Sequence, residues 1–379
     1  MTRINKPEVA VYYFPNYHID PLNEETHGEG WTEWELVKRA TPRFHGHQQP
    51  KVPLWGYLDE SKPETAERQI KAASDHGVDV FIYDWYWYNN GPFLHRALEE
   101  GFMKANNNHK LKFSLMWANH DWLNLFPYKR GMKHTVLYSG QVSDELFDAA
   151  CDYMIAKYFS HPSYWRVNGG LYLSFYELMN MIQSFGSIDA TKRALEKFRN
   201  KVRSVGLGEL HLNAVVWGLQ NLPGEKTLKQ PNDIVNALEF DSVTSYVWIH
   251  NVPLTEFPTV EYSKVARQAE LDWVKFKKEF TIPYFPNVSM GWDSSPRTVQ
   301  SDVYASLGYP FTPIIKGNTP DEFKKSLLSV KRFLSEEKNT PIITINSWNE
   351  WTEGSYIEPD TINGMGYLEA IRDVFRNHP

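Results

Sequence analysis

Short apolar runs alternate with amphipathic stretches along this chain. Runs rich in Val, Ile, Phe and Tyr at residues 9–14, 78–83, 112–117, 171–175, 211–217, 242–248, 284–290 and 342–347 read as buried parallel strands, apolar on both faces. Between them, apolar positions at three- and four-residue spacing predict helices over 62–76, 92–106, 143–159, 189–205, 233–238, 261–280, 320–338 and 364–377. Ser143 and Asp189 stand just ahead of two such periods, where N-cap residues belong. Strands alternating with helices imply βαβ units on a parallel sheet, and eight such units fit a (β/α)8 TIM barrel. A doubly wound open sheet would usually carry a glycine-rich phosphate turn after its first strand, where this chain has FPNYHID. Neither a linker-like Gly/Ser run nor a charge block divides the sequence, so residues 1–379 are expected to form one barrel. Residues 18–61 are expected as a long loop without regular structure over the C-terminal mouth, where loops build active sites.

Composition narrows the chemistry. A formal net charge of −6 over 379 residues lacks the basic stripe of a nucleic-acid binder. The one cysteine, Cys151, excludes an intramolecular disulfide framework and a cysteine zinc cluster, and reads as a small core residue. No apolar run is long enough to span a membrane. The first residues show no signal peptide, which gives a cytoplasmic expectation by default, or periplasm or surface if a leader has been removed.

The aromatic content is high, with 14 Trp, 21 Tyr and 21 Phe, and it collects past the strand ends. There stand Tyr17 and His18; Asp84, Trp85 and Tyr86; Trp117, Asn119, His120 and Asp121; Tyr176 and Glu177; Trp217; Tyr246, Trp248 and His250; Trp292 and Asp293; and Trp348 with Asn349. Trp31 and Glu33 lie in the long loop. Indole faces beside carboxylates, amides and imidazoles suit a sugar, whose C–H faces stack on Trp and whose hydroxyls need paired donors and acceptors. A phosphorylated ligand would instead ask for Gly-rich turns and Arg or Lys, which are scarce at these ends. His45 and His47 have HxH spacing but no third ligand, so loop packing or substrate contact is expected and no metal.

The sharpest motif is NSWNEWTEGSYIEP, residues 346–359, after the eighth strand. Glycoside cleavage normally needs two carboxyl groups, one to protonate the leaving oxygen and one to act as base or nucleophile. Glu350 and Glu353 are three apart with Gly354 next, so a tight turn can bring both to one cavity. Burial among Trp348, Trp351 and Tyr356 would raise the pKa of one of the two towards the value a general acid needs. Spacing leaves open which glutamate is the acid. Glu358, ahead of Pro359, is expected to fix the loop or bind a hydroxyl.

The runs AVYYFPNYH, GEGWTEWELVKRATPRFHGHQQPKVP, DHGVDVFIYDWYWY, LMWANHDW and NSWNEWTEGSYIEP together resemble the glycoside hydrolase family 99-like group, which includes the WbsX-like proteins often labelled glycosyltransferases. The resemblance runs from the first strand to Pro359. It implies a (β/α)8 barrel, no cofactor, and retaining, endo-acting cleavage of α-mannosidic linkages. It further implies that Glu350 deprotonates the sugar 2-hydroxyl to give an epoxide-like intermediate, and that Glu353 is general acid and then base. GWTEW, GHQQP and WANHDW are nearer the WbsX-like branch than the endomannosidases, so the glutamates carry over while the mannose specificity does not. The expected partner is a polysaccharide or oligosaccharide rich in α-manno- or α-rhamno-configured sugar. Two alternatives stand beside this hydrolase: a glycosyltransferase of surface-polysaccharide assembly, which would require a nucleotide-sugar donor, and a carbohydrate-binding barrel without catalysis.

Overall fold

The computed structural model describes residues 6–220, 223–335 and 341–376. The barrel strands are β1 (Glu8–Tyr13), β2 (Val80–Tyr88), β3 (Lys112–Trp117), β4 (Gly170–Phe175), β5 (Leu210–Val215), β6 (Ser242–Thr244), β7 in two pieces (Tyr284–Phe285 and Asn287–Ser289) and β8 (Ile342–Asn346). Each pairs in parallel with the next, from Ala10 opposite Val80 between β1 and β2 to Glu8 opposite Ile342 between β8 and β1. The seventh strand changes neighbours at Pro286. Its first piece pairs with β6, its second with β8. Proline has no N–H for a ladder, but its carbonyl accepts from the Thr344 amide at 3.0 Å, so the break falls where no donor is needed. The result is a (β/α)8 barrel, with strands as buried as their apolar runs predicted; all nine residues of β2 are buried.

The helices are α1 (Pro21–His27), α2 (Trp34–Arg39), α3 (Pro63–Asp75), α4 (Asp144–Lys157), α5 (Leu178–Phe185), α6 (Ile188–Ser204), α7 (Pro231–Ala237), α8 (Tyr262–Glu279), α9 (Pro320–Leu334) and α10 (Gly366–Phe375). Ser143 caps α4 as expected, its hydroxyl accepting from the Leu146 amide at 3.2 Å. The cap of α6 is Ser187 rather than Asp189, which sits in the first turn and favours the positive end of the helix dipole. Residues 18–61 are not free of regular structure. Asp20 caps α1 by accepting from the Leu22 amide, Pro21 opens that helix, and α2 follows. Residues 92–106 do not form one helix either: 91–93 fold back antiparallel onto the end of β2, and a single wide turn follows over Ala97–Phe102. Two strands stop short of their predicted ends, leaving Trp217 and Trp248 beyond β5 and β6. The predicted helix ends at 338 and 377 lie outside the described residues. Among the described residues no helix is long and apolar enough to cross a membrane.

A hydrogen-bonded polar layer lies inside the barrel. Ser174 donates to Asn213 at 2.8 Å, Asn213 to Ser242 at 2.8 Å, and Asn287 to Thr344 at 3.2 Å. Buried amides and hydroxyls cost free energy unless paired, and here strand neighbours pair them.

Candidate active site

The chain leaves β8 into a small hairpin. Asn349–Glu350 pairs antiparallel with Ser355–Tyr356, and a single 3-10 turn, Trp351–Glu353, closes it. Gly354 ends that turn at φ +60°. A Cβ there would stand 2.6 Å from Cβ of Asp293, so backbone twist and close approach both require glycine. Trp351 stacks on Tyr356 with ring centres 3.7 Å apart, and its indole N–H donates to Glu358 at 2.9 Å. This pinned hairpin turns the Glu350 and Glu353 side chains into the same cavity at the C-terminal mouth.

Around that pair the charges do not balance locally. The guanidinium of Arg297 is buried and bonded to Glu353, lies 3.0 Å from Glu33, and reaches to 3.8 Å from Glu350. Phe14 and Phe126 present their rings to it at 5.4 and 5.1 Å. Glu353 accepts a second bond, at 2.8 Å, from the Tyr309 hydroxyl, which itself accepts from Arg297 at 2.6 Å. On the other side the Tyr246 hydroxyl lies 2.9 Å from an Asp84 oxygen and 3.1 Å from a Glu350 oxygen. Three carboxyl groups, those of Glu33, Glu350 and Glu353, thus face one buried cation, and Asp84 lies beyond Tyr246. Burial first, then the neighbouring Glu353 charge, pushes the Glu350 carboxyl well above its ordinary range, with Arg297 pulling back. Burial raises Asp84 in the same way. Glu33 is raised by burial against the pull of Arg297.

The period of two along β2 and β3 sorts the aromatics that follow. Asp84 and Tyr86 point into the cavity, as do Met116 and Ala118. Trp85 donates outward to Tyr158 at 3.3 Å, and Trp117 stacks on Phe147 of α4. His120, Asp121, Tyr176, Glu177, Tyr246, His250 and Trp292 join the cavity wall. The remaining sequence candidates stand behind it. Tyr17 packs on Trp34, and Trp31 packs on His27. His18 is buried, and burial pushes its imidazole down to about 3. Glu33 reaches the site only through Arg297, Thr352 and Asn16. Asn119 grips the Glu177 backbone through two bonds of 2.8 Å. Trp217 packs on Tyr176 and His250. Trp248 donates to the Asn287 carbonyl at 2.9 Å, and Trp348 packs on Phe81. Asn349 bridges Phe14 to Glu60, and Glu358 takes the Gln69 amide at 3.0 Å.

Arg297 and Tyr309 did not emerge from the sequence. Arg297 lies 264 and 56 residues from its two principal carboxylate partners, Glu33 and Glu353, a pairing that no local pattern announces. His47 bonds to Asp293 at 2.8 Å, a carboxylate supplied from the far loop. Among the described residues no group of three or more His, Cys, Asp or Glu could hold a metal ion. His45 and His47 line a second cavity of about 550 Å³ that shares Trp292 with the first. The first, of about 120 Å³, is smaller, but the ionisable groups converge there.

Residues 9–371 match the family model described as Glycosyltransferase WbsX. An uncharacterized protein, WxcX, of Xanthomonas campestris pv. campestris is 28% identical over 387 residues, covering 98% of this chain and 50% of that protein. The chain therefore spans about half the length of the curated relatives it matches. Among solved structures, the GH99 endo-α-mannosidase from Bacteroides thetaiotaomicron superposes with a TM-score of 0.55 at 14% identity, covering 97% of this chain and 96% of that one. A glycoside hydrolase-like protein superposes at 0.65 with 13% identity, covering 99% and 95%. At such identities the likeness is one of fold.

Proposed function

The chain belongs to the WbsX family, and from that premise and its paired glutamates we propose that it is a retaining glycoside hydrolase. Its substrate on this reading is a polysaccharide or oligosaccharide with α-linked manno- or rhamno-configured sugars, cut within the chain. One observation carries the reading: Glu350 and Glu353 line one cavity and both approach one guanidinium. Carboxyl groups gathered on one cation are placed to work side by side, whereas the usual pair, roughly 5–9 Å apart, flanks the glycosidic bond from opposite faces. They can act on two neighbouring oxygens of one sugar. One takes the proton of the 2-hydroxyl as O2 closes on C1, and the other protonates the leaving oxygen. Two successive displacements at C1 then return the starting configuration. Closure needs the 2-hydroxyl trans to the leaving group, as in α-mannosides and α-rhamnosides. The aromatic wall of Tyr86, Tyr246 and Trp292 offers apolar faces to the ring.

The family's description favours a second reading, a glycosyltransferase that needs an activated donor. Incubating the protein with mannan, rhamnan and mixed polysaccharides, without nucleotide sugar, separates the two. Shortened fragments seen by mass spectrometry support the hydrolase. Product that appears only when a nucleotide-sugar donor is added replaces it with the transferase.

A further inference from the structure

The run FHGHQQPK, residues 44–51, lines no part of the catalytic cavity and builds one wall of the second. That second cavity, of about 550 Å³, lies between the loops after β7 and β8. Its size falls within the roughly 300–1,000 Å³ that suits a small organic ligand. Barrels of this class frequently hold an anion between those two loops. Trp292 lines both cavities, while Glu353 lines the first and Gly354 the second, so they are neighbours across the hairpin. A glycan chain that runs on past Trp292 from the first enters the second.

Lys51 stands in that wall, half-buried. Among the described residues it forms no ion pair, and its ammonium reaches only Gln48, at 3.4 Å. Two of its three donors are uncommitted. Burial pulls the ammonium below the ordinary lysine range, against the charges of Asp293 and Asp360. Both of those carboxylates are taken by other donors. Asp293 accepts from His47 at 2.8 Å, from the Gln49 amide at 2.7 Å and from the Ser295 N–H at 3.1 Å. His47 is neutral there, because its Nδ1 accepts the Arg43 N–H at 3.0 Å. Asp360 accepts from the Tyr356 hydroxyl at 2.8 Å and from the backbone of Ile362 and Asn363. Lys316, also in the wall, is paired with Glu261 at 3.0 Å. Asn318 gives its side-chain amide to the Met290 sulfur at 3.4 Å, a weak acceptor. Resting on the hydrolase reading, we infer that the second cavity binds an acidic sugar unit of the same glycan chain. Its carboxylate or phosphate accepts from Lys51, its hydroxyls meet Asn318, and its apolar face meets Trp292. The substrate therefore carries a charged unit close to the sugar that is cut.

Calorimetric titration of the intact protein with charged sugars and their uncharged counterparts tests this. Oligogalacturonate is set against its carboxyl-reduced form, and mannose 6-phosphate against mannose. None of the four can be cut by way of a 2-hydroxyl trans to the leaving group, so binding is read apart from turnover. In at least one pair the charged member is expected to bind about tenfold or more tightly, the worth of one charge-assisted hydrogen bond. The pair that shows it tells carboxylate from phosphate. Lys51→Gln should bring that charged sugar down to the affinity of its neutral counterpart. Lys51→Arg, which keeps the charge, should restore most of the gap, with melting curves run on both variants. Equal binding within both pairs, or a preference that survives Lys51→Gln in a folded protein, overturns the assignment. So does a nucleoside diphosphate whose binding depends on Lys51 while neither sugar pair shows a preference. The hydrolase reading fails separately. A protein inert towards polysaccharide that still prefers charged sugars through Lys51 keeps the site and loses the hydrolase, and one that cuts polysaccharide without that preference does the reverse.

Discussion

Glu33, Glu350 and Glu353 surround one buried guanidinium, and Tyr246 ties Glu350 to Asp84. Tyr246→Phe removes the one hydroxyl that both Asp84 and Glu350 use. Losing a hydrogen bond of this kind, about 1.5–3 kcal/mol, should lower kcat by roughly 10- to 100-fold. Steady-state rates beside a melting curve check this, and an unchanged kcat removes Tyr246 from the machinery. Glu177, across the cavity, carries a stability signal instead. Burial, and next the Glu225 charge, push its carboxyl up to about 8 from an ordinary 4.5. Between those values the folded protein keeps a proton that the unfolded chain has released, so stability falls as pH rises. Glu177→Gln has no such dependence. Its melting temperature should gain on wild type from about pH 4.5 to 8, reach a gap on the order of a few degrees, and level off above. A gap that is flat or closes over that range contradicts the raised carboxyl. The sequence carried Glu350 and Glu353 because they stand three positions apart in one motif. It did not carry Arg297, because a guanidinium's worth depends on partners brought by other loops.

At the scale of elements, the hairpin after β8 decides whether two glutamates become one site. Gly354 holds a left-handed turn against Asp293, and Gly354→Ala meets both a strained backbone and a Cβ contact of 2.6 Å. The variant should lose about 1–3 kcal/mol of stability and most of its cleavage activity; wild-type melting and rates together would show that the hairpin tolerates displacement. Strand identity was readable because parallel barrel strands are buried on both faces, so VFIYDWYWY could hardly be anything else. Which aromatic faces the cavity was less readable. Trp85 and Tyr86 are neighbours in sequence and opposite in direction, and only the register of β2 separates them. The short helices α1 and α2 escaped notice because six or seven residues complete too few turns to show a period, although Asp20 and Pro21 are a legible start signal.

For the whole molecule, eight strands closing through the split at Pro286 place every βα loop at one mouth, where the pair of glutamates meets its aromatic wall. That much followed from counting alternating elements. The sugar did not, since recognition is distributed over loops whose contacts cross the whole chain. The account's central claim is that two carboxyl groups gathered on one guanidinium cleave by way of the 2-hydroxyl and therefore retain configuration. The most direct measurement is proton NMR of the anomeric signal during the first minutes of polysaccharide cleavage, before the new reducing end equilibrates. The account predicts that the α-anomer appears first and the β-anomer only later by mutarotation. A β-anomer formed first would mean a single displacement by water, and would contradict it.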